Sequence, residues 1–149
     1  MRVWGFKRFY EAVPGIDRIF TRSDFKKFLS HPDYVVITLP STPDTLHLID
    51  DDTLRAMKNS AVLINIGRGS VVSENALVQA LEEGRIRGAV LDVFEEEPEV
   101  PQALMDLPNA VLLPHIGSAS IETRDKMAVM AARSLIDVLA GKDAEFRVM

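Results

Sequence analysis

Apolar residues along this chain fall into short dense runs separated by stretches of helical spacing. Three runs are nearly continuous: Tyr34 to Leu39 (YVVITL), Ala61 to Ile66 (AVLINI) and Ala89 to Val93 (AVLDV). Such runs, rich in β-branched residues and bounded by turn-formers, read as strands, and their lack of polar alternation predicts cover on both faces of a parallel sheet. Further strands are expected at Arg2 to Phe6, Arg18 to Phe20 and Val111 to Leu113, the second with the faintest pattern. Helices fit between them at Ser23 to Ser30, Asp50 to Met57, Ser73 to Glu83 and, as a long final element, about Ile121 to Ala140. In the third helix Ala76, Leu77, Ala80 and Leu81 share one stripe, Ser73 stands at the N-cap and Gly84 at the C-terminal glycine position. Asp50 opens the second helix in the same way, Gly141 follows the last, and Met127 and Met130 are expected to pack that helix onto the sheet. Strands alternating with helices argue for crossover units around a parallel sheet.

A dinucleotide-binding sheet of this kind opens on a strand followed by a Gly-rich turn, and the only Gly-x-Gly in the chain is Gly67-Arg68-Gly69, followed by Ser70-Val71-Val72. The expected fold class is therefore α/β: an incomplete doubly wound, Rossmann-like parallel sheet lacking the first strand and the Gly-rich loop. In the order 3-2-1-4-5-6 the missing strand lies between Arg2 to Phe6 and Tyr34 to Leu39, which leaves the latter an unpaired apolar edge suited to association or swapping.

Composition narrows the class. A chain of 149 residues, 47% hydrophobic and 26% charged, with eight Gly and eight Pro, has globular proportions and buries roughly 70% of its unfolded surface. Its net charge of −5 repels polyanions and no Lys/Arg run is interleaved with aromatics, so nucleic acid is not an expected partner. The absence of cysteine excludes disulfides and thiolate metal sites. No apolar run approaches the roughly 20 residues that span a bilayer, and the stretch from Met1-Arg2-Val3-Trp4 lacks the apolar h-region of a signal peptide. Neither membrane nor metal is expected, and the expected location is the cytoplasm.

Three strand ends carry polar residues where open α/β sheets bind ligands. Ile64-Asn65-Ile66-Gly67-Arg68-Gly69 places a guanidinium between two glycines, a fork that matches a carboxylate beside backbone that a ligand can approach closely. Leu91-Asp92-Val93-Phe94-Glu95-Glu96-Glu97-Pro98 sets one acid inside an apolar strand and another before a proline. Leu113-Pro114-His115-Ile116-Gly117-Ser118 puts a histidine at the end of the last strand.

The set N-x-x-R-G-x-x-V, G-x-x-L-D-V-x-x-x-E-P and P-H-x-G-S, in this order, resembles the D-isomer-specific 2-hydroxyacid dehydrogenases, which include glyoxylate, hydroxypyruvate, phosphoglycerate and D-lactate dehydrogenases. Leu39-Pro40-Ser41-Thr42-Pro43-Asp44-Thr45, the helix Glu74 to Leu81 and Glu122-Thr123-Arg124 extend the likeness over nearly the whole chain. The resemblance implies an oxidoreductase that reduces a 2-keto acid to a D-2-hydroxy acid with NAD(P)H, and an active site at Arg68, Glu97 and His115. Such chemistry needs a proton donor beside the carbonyl oxygen, which an imidazolium at His115 supplies near neutral pH. Arg68 would hold the substrate carboxylate and polarise the carbonyl, and Glu97 would hold the protonated ring. By the same likeness Asp92 faces the nicotinamide carboxamide, and Pro40, Thr45, Ile66, Gly67, Arg68, His115, Gly117 and Ser118 border the cofactor. NAD-using members carry an acid after the second strand of the fold, whereas this chain reads Gly5-Phe6-Lys7-Arg8, and two cations suit the 2′-phosphate of NADP.

Under this resemblance residues 1–149 form a partial dinucleotide-binding domain with the substrate domain absent, a fragment with little or no activity alone, and a homo-oligomer. A different class of reading is a noncatalytic remnant, or a self-associating or partner-binding α/β module. A third, an intact binding domain of flavodoxin-like type, needs a phosphate loop after its first strand. Taken singly, Arg68 reads as a surface ion-pair partner and His115 as a structural loop histidine; their co-occurrence with Glu97 on three strand ends favours function. Glu95 and Glu96 are assigned to a solvated face, His31 and His47 to turns and loops, and Asp50-Asp51-Asp52 to helix capping rather than calcium.

Overall fold

The computed structural model describes residues 1–144. Its chain order is β1 (Trp4–Phe6), β2 (Arg18–Phe20), α1 (Phe25–Leu29), β3 (Tyr34–Ile37), α2 (Asp51–Arg55), β4 (Val62–Asn65), α3 (Glu74–Glu82), β5 (Gly88–Leu91), α4 (Gln102–Met105), β6 (Ala110–Leu112) and α5 (Ile121–Leu139). All six expected strands and all four expected helices are present, with α4 and two 3₁₀ turns, Arg22–Asp24 and Gly69–Val71, in addition. The chain divides into two compact units, Met1–Pro114 and the part that begins at His115.

In the first unit every strand pairing is parallel, and the strands form two sheets: β1-β2 and the four-stranded β3-β4-β5-β6. This is a Rossmann-like α/β arrangement. The core side of the larger sheet follows the strand period of two: Val35, Ile37, Leu63, Ala89 and Leu91 are buried with Leu54 of α2, Leu77 and Leu81 of α3, and Leu104 of α4. The alternate row is only partly covered: Val62, Ile64 and Val90 are half-buried, whereas Tyr34 and Val36 are 64% and 54% exposed, so the expectation of cover on both faces fails at β3. A dense apolar run reports what a strand can bury; it carries no information on whether a neighbour is there to bury it.

Between β1 and β3 lies a groove of about 230 Å³, lined by residues that include Trp4, Phe6, Phe25, Phe28, Val36 and Val71. Lys7 N–H donates to Phe20 O and Asp17 N–H to Val3 O, so the odd-numbered residues of β1 face β2. Val62 N–H donates to Asp33 O and Ile66 N–H to Ile37 O, so the odd-numbered residues of β3 face β4. In a parallel ladder the alternate groups, those of Trp4, Phe6, Tyr34 and Val36, point away from these partners and toward the groove.

Helix ends follow the sequence signals. Asp50 and Thr53 form a reciprocal capping box, with Thr53 N–H on Asp50 Oδ1 at 2.9 Å and Asp50 N–H on Thr53 Oγ1 at 2.7 Å. Gly84 (φ 65°) ends α3 with Arg85 N–H on Ala80 O and Gly84 N–H on Leu81 O, the paired bonds of a Schellman turn. Ser73 holds the N-cap position of α3, yet its hydroxyl makes no capping bond.

In the second unit Ser120 Oγ accepts from Thr123 N–H at 3.2 Å and caps α5, and Gly141 (φ 74°) ends it. No residue of α5 is buried, and Met127 and Met130, expected to pack, are 54% and 42% exposed. Their spacing marks an apolar stripe without naming what covers it. Among the described residues no helix is long and apolar enough to cross a membrane, and no group of three or more His, Asp or Glu is placed to hold a metal ion.

Candidate active site

The C-terminal ends of β3, β4 and β5 meet along one edge of the larger sheet. At the end of β4 the buried Asn65 closes the turn that carries Arg68: its Nδ2 donates to Arg68 O at 3.0 Å and its Oδ1 accepts from Gly67 N–H at 3.1 Å. Gly67 is backed so closely by the segment just after β3 that a Cβ there would lie 2.6 Å from Leu39 O. The Arg68 guanidinium is exposed, donates to Gly67 O at 2.7 Å and has no acidic partner among the described residues. The ion-pair reading of Arg68 therefore has no support, and a cation fixed at its root is left for an anionic ligand.

At the end of β5, Asp92 is buried and its N–H bonds Asn65 O at 3.0 Å, which ties the two strand ends together. Phe94 N–H donates to Glu97 Oε1 at 3.0 Å, and Glu97 is exposed, followed by a cis peptide to Pro98. Within this unit Arg68 and Glu97 thus stand on adjacent loops of neighbouring strands.

The loop after β3 is pinned by Thr45, whose hydroxyl donates to Pro40 O at 2.7 Å and accepts from Thr42 N–H at 2.8 Å. Ile66, half-exposed, and the Gly67 backbone border the same edge. Lys7 pairs with Glu11, while Arg8 approaches Asp44 at 3.8 Å alongside Arg22 at 3.5 Å, so both candidate phosphate cations are partly neutralised by acids. In the second unit His115 is held at φ 53°, a left-handed conformation uncommon outside glycine, and Ala119 N–H on Ile116 O closes the turn that contains Gly117 and Ser118.

Sequence reasoning missed three residues. Glu95, assigned to a solvated face, accepts from Glu74 N–H at 2.7 Å through Oε1 and meets His47 Nε2 at 2.9 Å through Oε2. Glu95 N–H in turn donates to Glu74 Oε1 at 2.8 Å. It is this glutamate, 21 residues downstream, that occupies the α3 N-terminus where Ser73 was expected to act. Burial pushes the Glu74 carboxyl above its ordinary value and the nearby charges of Glu95 and Glu96 add to the rise, against the lowering effect of the Glu95 amide bond. His47 sits at φ 45°, held also by its N–H on Ser70 O at 2.8 Å. Glu96 is exposed, as expected.

Residues 1–117 match the D-isomer specific 2-hydroxyacid dehydrogenase, NAD binding domain. The chain belongs to this family. It is 54% identical over 123 residues to glyoxylate/hydroxypyruvate reductase B of Pectobacterium carotovorum subsp. carotovorum, an alignment that covers 82% of this chain and 38% of that protein. Glyoxylate reductase of Pyrococcus horikoshii is 53% identical over 114 residues, covering 76% and 34%. The NADPH-dependent glyoxylate/hydroxypyruvate reductase of Sinorhizobium meliloti, solved with NADP and malonate, superposes with a TM-score of 0.89 at 33% identity over 99% of this chain and 53% of that one. The chain thus spans less than two fifths of the length of these two curated relatives.

Proposed function

We propose that this chain carries the keto-acid side of a 2-hydroxyacid dehydrogenase site, one that reduces a small 2-keto acid such as glyoxylate or hydroxypyruvate. The observation that carries the reading is Arg68: a rooted, exposed guanidinium without an acidic partner, one loop away from Glu97. Arg68 binds the substrate carboxylate as a fork and draws electron density from the adjacent carbonyl. His115 is the proton donor to the carbonyl oxygen, and Glu97 is the carboxylate assigned to the same reaction.

The residues fit one side of the cofactor. Ile66 offers an exposed apolar surface beside the Gly67 backbone, and Asp92 a buried acid at the same strand edge; no Gly-x-Gly-x-x-Gly turn is present to hold a pyrophosphate. When bound, a reduced nicotinamide supplies the hydride. Lys7 and Arg8 favour NADP over NAD, and cytoplasm is the location we assign. As an isolated chain the protein has little or no turnover, because a partial site orients its ligands poorly.

Titration with glyoxylate, followed by the amide shifts of Gly67 and Gly69, tests the reading. Arg68→Ala is expected to weaken binding about 10- to 100-fold, the range for a hydrogen-bonded charge. Binding indifferent to Arg68→Ala overturns it.

The groove between β1 and β3 supports a second, compatible reading, self-association of the chain through an extended strand of a second copy. Both groove walls present rows of backbone groups that point away from their own partners, a template for strand addition.

A further inference from the structure

Glu95 joins all three loops of the candidate site. Its carboxylate bonds the Glu74 amide at 2.7 Å and His47 Nε2 at 2.9 Å, and its own amide bonds the Glu74 carboxylate at 2.8 Å. Glu74 follows the loop that holds Arg68, His47 lies in the segment between β3 and α2, and Glu95 lies two residues before Glu97. The same two loops also touch without side chains: a Cβ on Gly69 would lie 2.5 Å from Glu95 N. His47 N–H on Ser70 O and Ser41 Oγ on Ser70 Oγ at 2.8 Å close the third side.

From this arrangement we infer that Glu74 and Glu95 are positioning residues: their reciprocal carboxylate–amide bonds fix the Arg68 loop against the Glu97 loop. The inference rests on the proposed function for what Arg68 and Glu97 do, but the lock itself is a property of the fold.

A capping bond for α3 alone would need only one acceptor at the helix N-terminus. Two features go beyond that. The bond is returned, since Glu74 accepts from Glu95 N–H, and Glu74 keeps a buried carboxyl to do so although burial opposes its charge. Moreover His47 adopts a left-handed backbone while its side chain meets Glu95 and its amide meets Ser70. Non-glycine residues hold such a conformation where the surrounding structure over-determines it.

The lock acts on Glu97 through the short turn Phe94 to Glu97, whose closing bond runs from Phe94 N–H to Glu97 Oε1. It acts on Arg68 through the 3₁₀ turn Gly69–Val71, for which Arg68 is the N-cap residue. Loss of the lock therefore frees the Phe94 amide and alters access to the Arg68 guanidinium. The strand pairing at the far end of the sheet, where Val62 N–H meets Asp33 O, stays intact.

Site-resolved amide hydrogen exchange on the 149-residue chain, combined with the rate at which phenylglyoxal modifies Arg68, tests this. Glu95→Ala is expected to speed exchange at Phe94 about tenfold and to change Arg68 modification severalfold, with Val62 unchanged. Glu95→Gln, which retains an amide oxygen for Glu74 N–H, is expected to restore much of the Phe94 protection. If Glu95→Ala fails to fold, Glu74→Ala, which removes one of the two bonds, carries the same expectation. Faster exchange confined to Glu74 and Glu95, with Phe94 and Arg68 as in the parent chain, would show helix capping only and overturn the inference. Glyoxylate binding is scored separately: its absence from the parent chain counts against the proposed function and leaves the exchange result to decide the lock.

Discussion

Gly69 lies against the backbone of Phe94 so closely that a Cβ on it would stand 1.9 Å from both the carbonyl carbon and the oxygen of Phe94. No rotamer relieves such a contact, because both partners are main chain and each belongs to a turn tied down elsewhere. Gly69→Ala therefore has to push the Arg68 and Glu97 loops apart. Overpacking of this kind costs about 1–3 kcal/mol or more, and urea denaturation is expected to show a lower midpoint with an unchanged slope. A variant as stable as the parent chain would mean that the two loops separate freely.

The cap of α2 makes a prediction about acid. Burial raises the Asp50 carboxyl, but the amide and hydroxyl of Thr53 outweigh it, so the net shift is downward from the ordinary 3.8. A lowered carboxyl stabilises the fold above its unfolded value, and the contribution is lost as the pH falls through the folded value. Asp50→Ala is expected to cost about 0.5–2 kcal/mol at pH 7 and progressively less as the pH drops below 3.8. Equal destabilisation at pH 7 and in strong acid would contradict this account.

The extent to which the chain announces its own structure differs by element. The dense apolar runs and the capping signals, Asp50 before α2 and Gly84 after α3, locate the strands and long helices because the forces involved are local. Helix α4, four residues long and introduced by Pro101, has too few positions to display a period. Ser73 looked like the cap of α3 for a sound local reason, and lost to Glu95, whose approach depends on the pairing of β4 with β5. For the same reason Glu95 and His47 read as bland: a charge run and a loop histidine have no local feature that marks a partner 48 residues away. The turns that carry Arg68 and Glu97 were legible because glycine and proline punctuate them.

Glu74 has the opposite titration sign from Asp50. Its carboxyl is raised above the ordinary 4.5, chiefly by burial, so the folded chain holds that proton more tightly than the unfolded one. The associated stability is fully present below 4.5 and is lost as the pH rises through the folded value. Glu74→Gln keeps an oxygen for Glu95 N–H and removes the titration. Denaturation midpoints for the variant are expected to fall less than those of the parent chain between pH 4.5 and neutrality. Parallel pH profiles would show that Glu74 ionises as it does in water.

Val36 provides the sharpest test of self-association. Its side chain is 54% exposed, and the ladder from β3 to β4 runs through the odd-numbered residues, so its amide points to the groove rather than to β4. Proline at this position removes a donor that the chain does not use internally, whereas at a residue facing β4 it would break the sheet. A strand from a second copy needs that donor. Val36→Pro is therefore expected to leave circular dichroism nearly unchanged while sedimentation shifts from oligomer to monomer. Two outcomes count against strand addition at this edge: a parent chain that sediments as a monomer, or a Val36→Pro variant that associates as strongly as its parent.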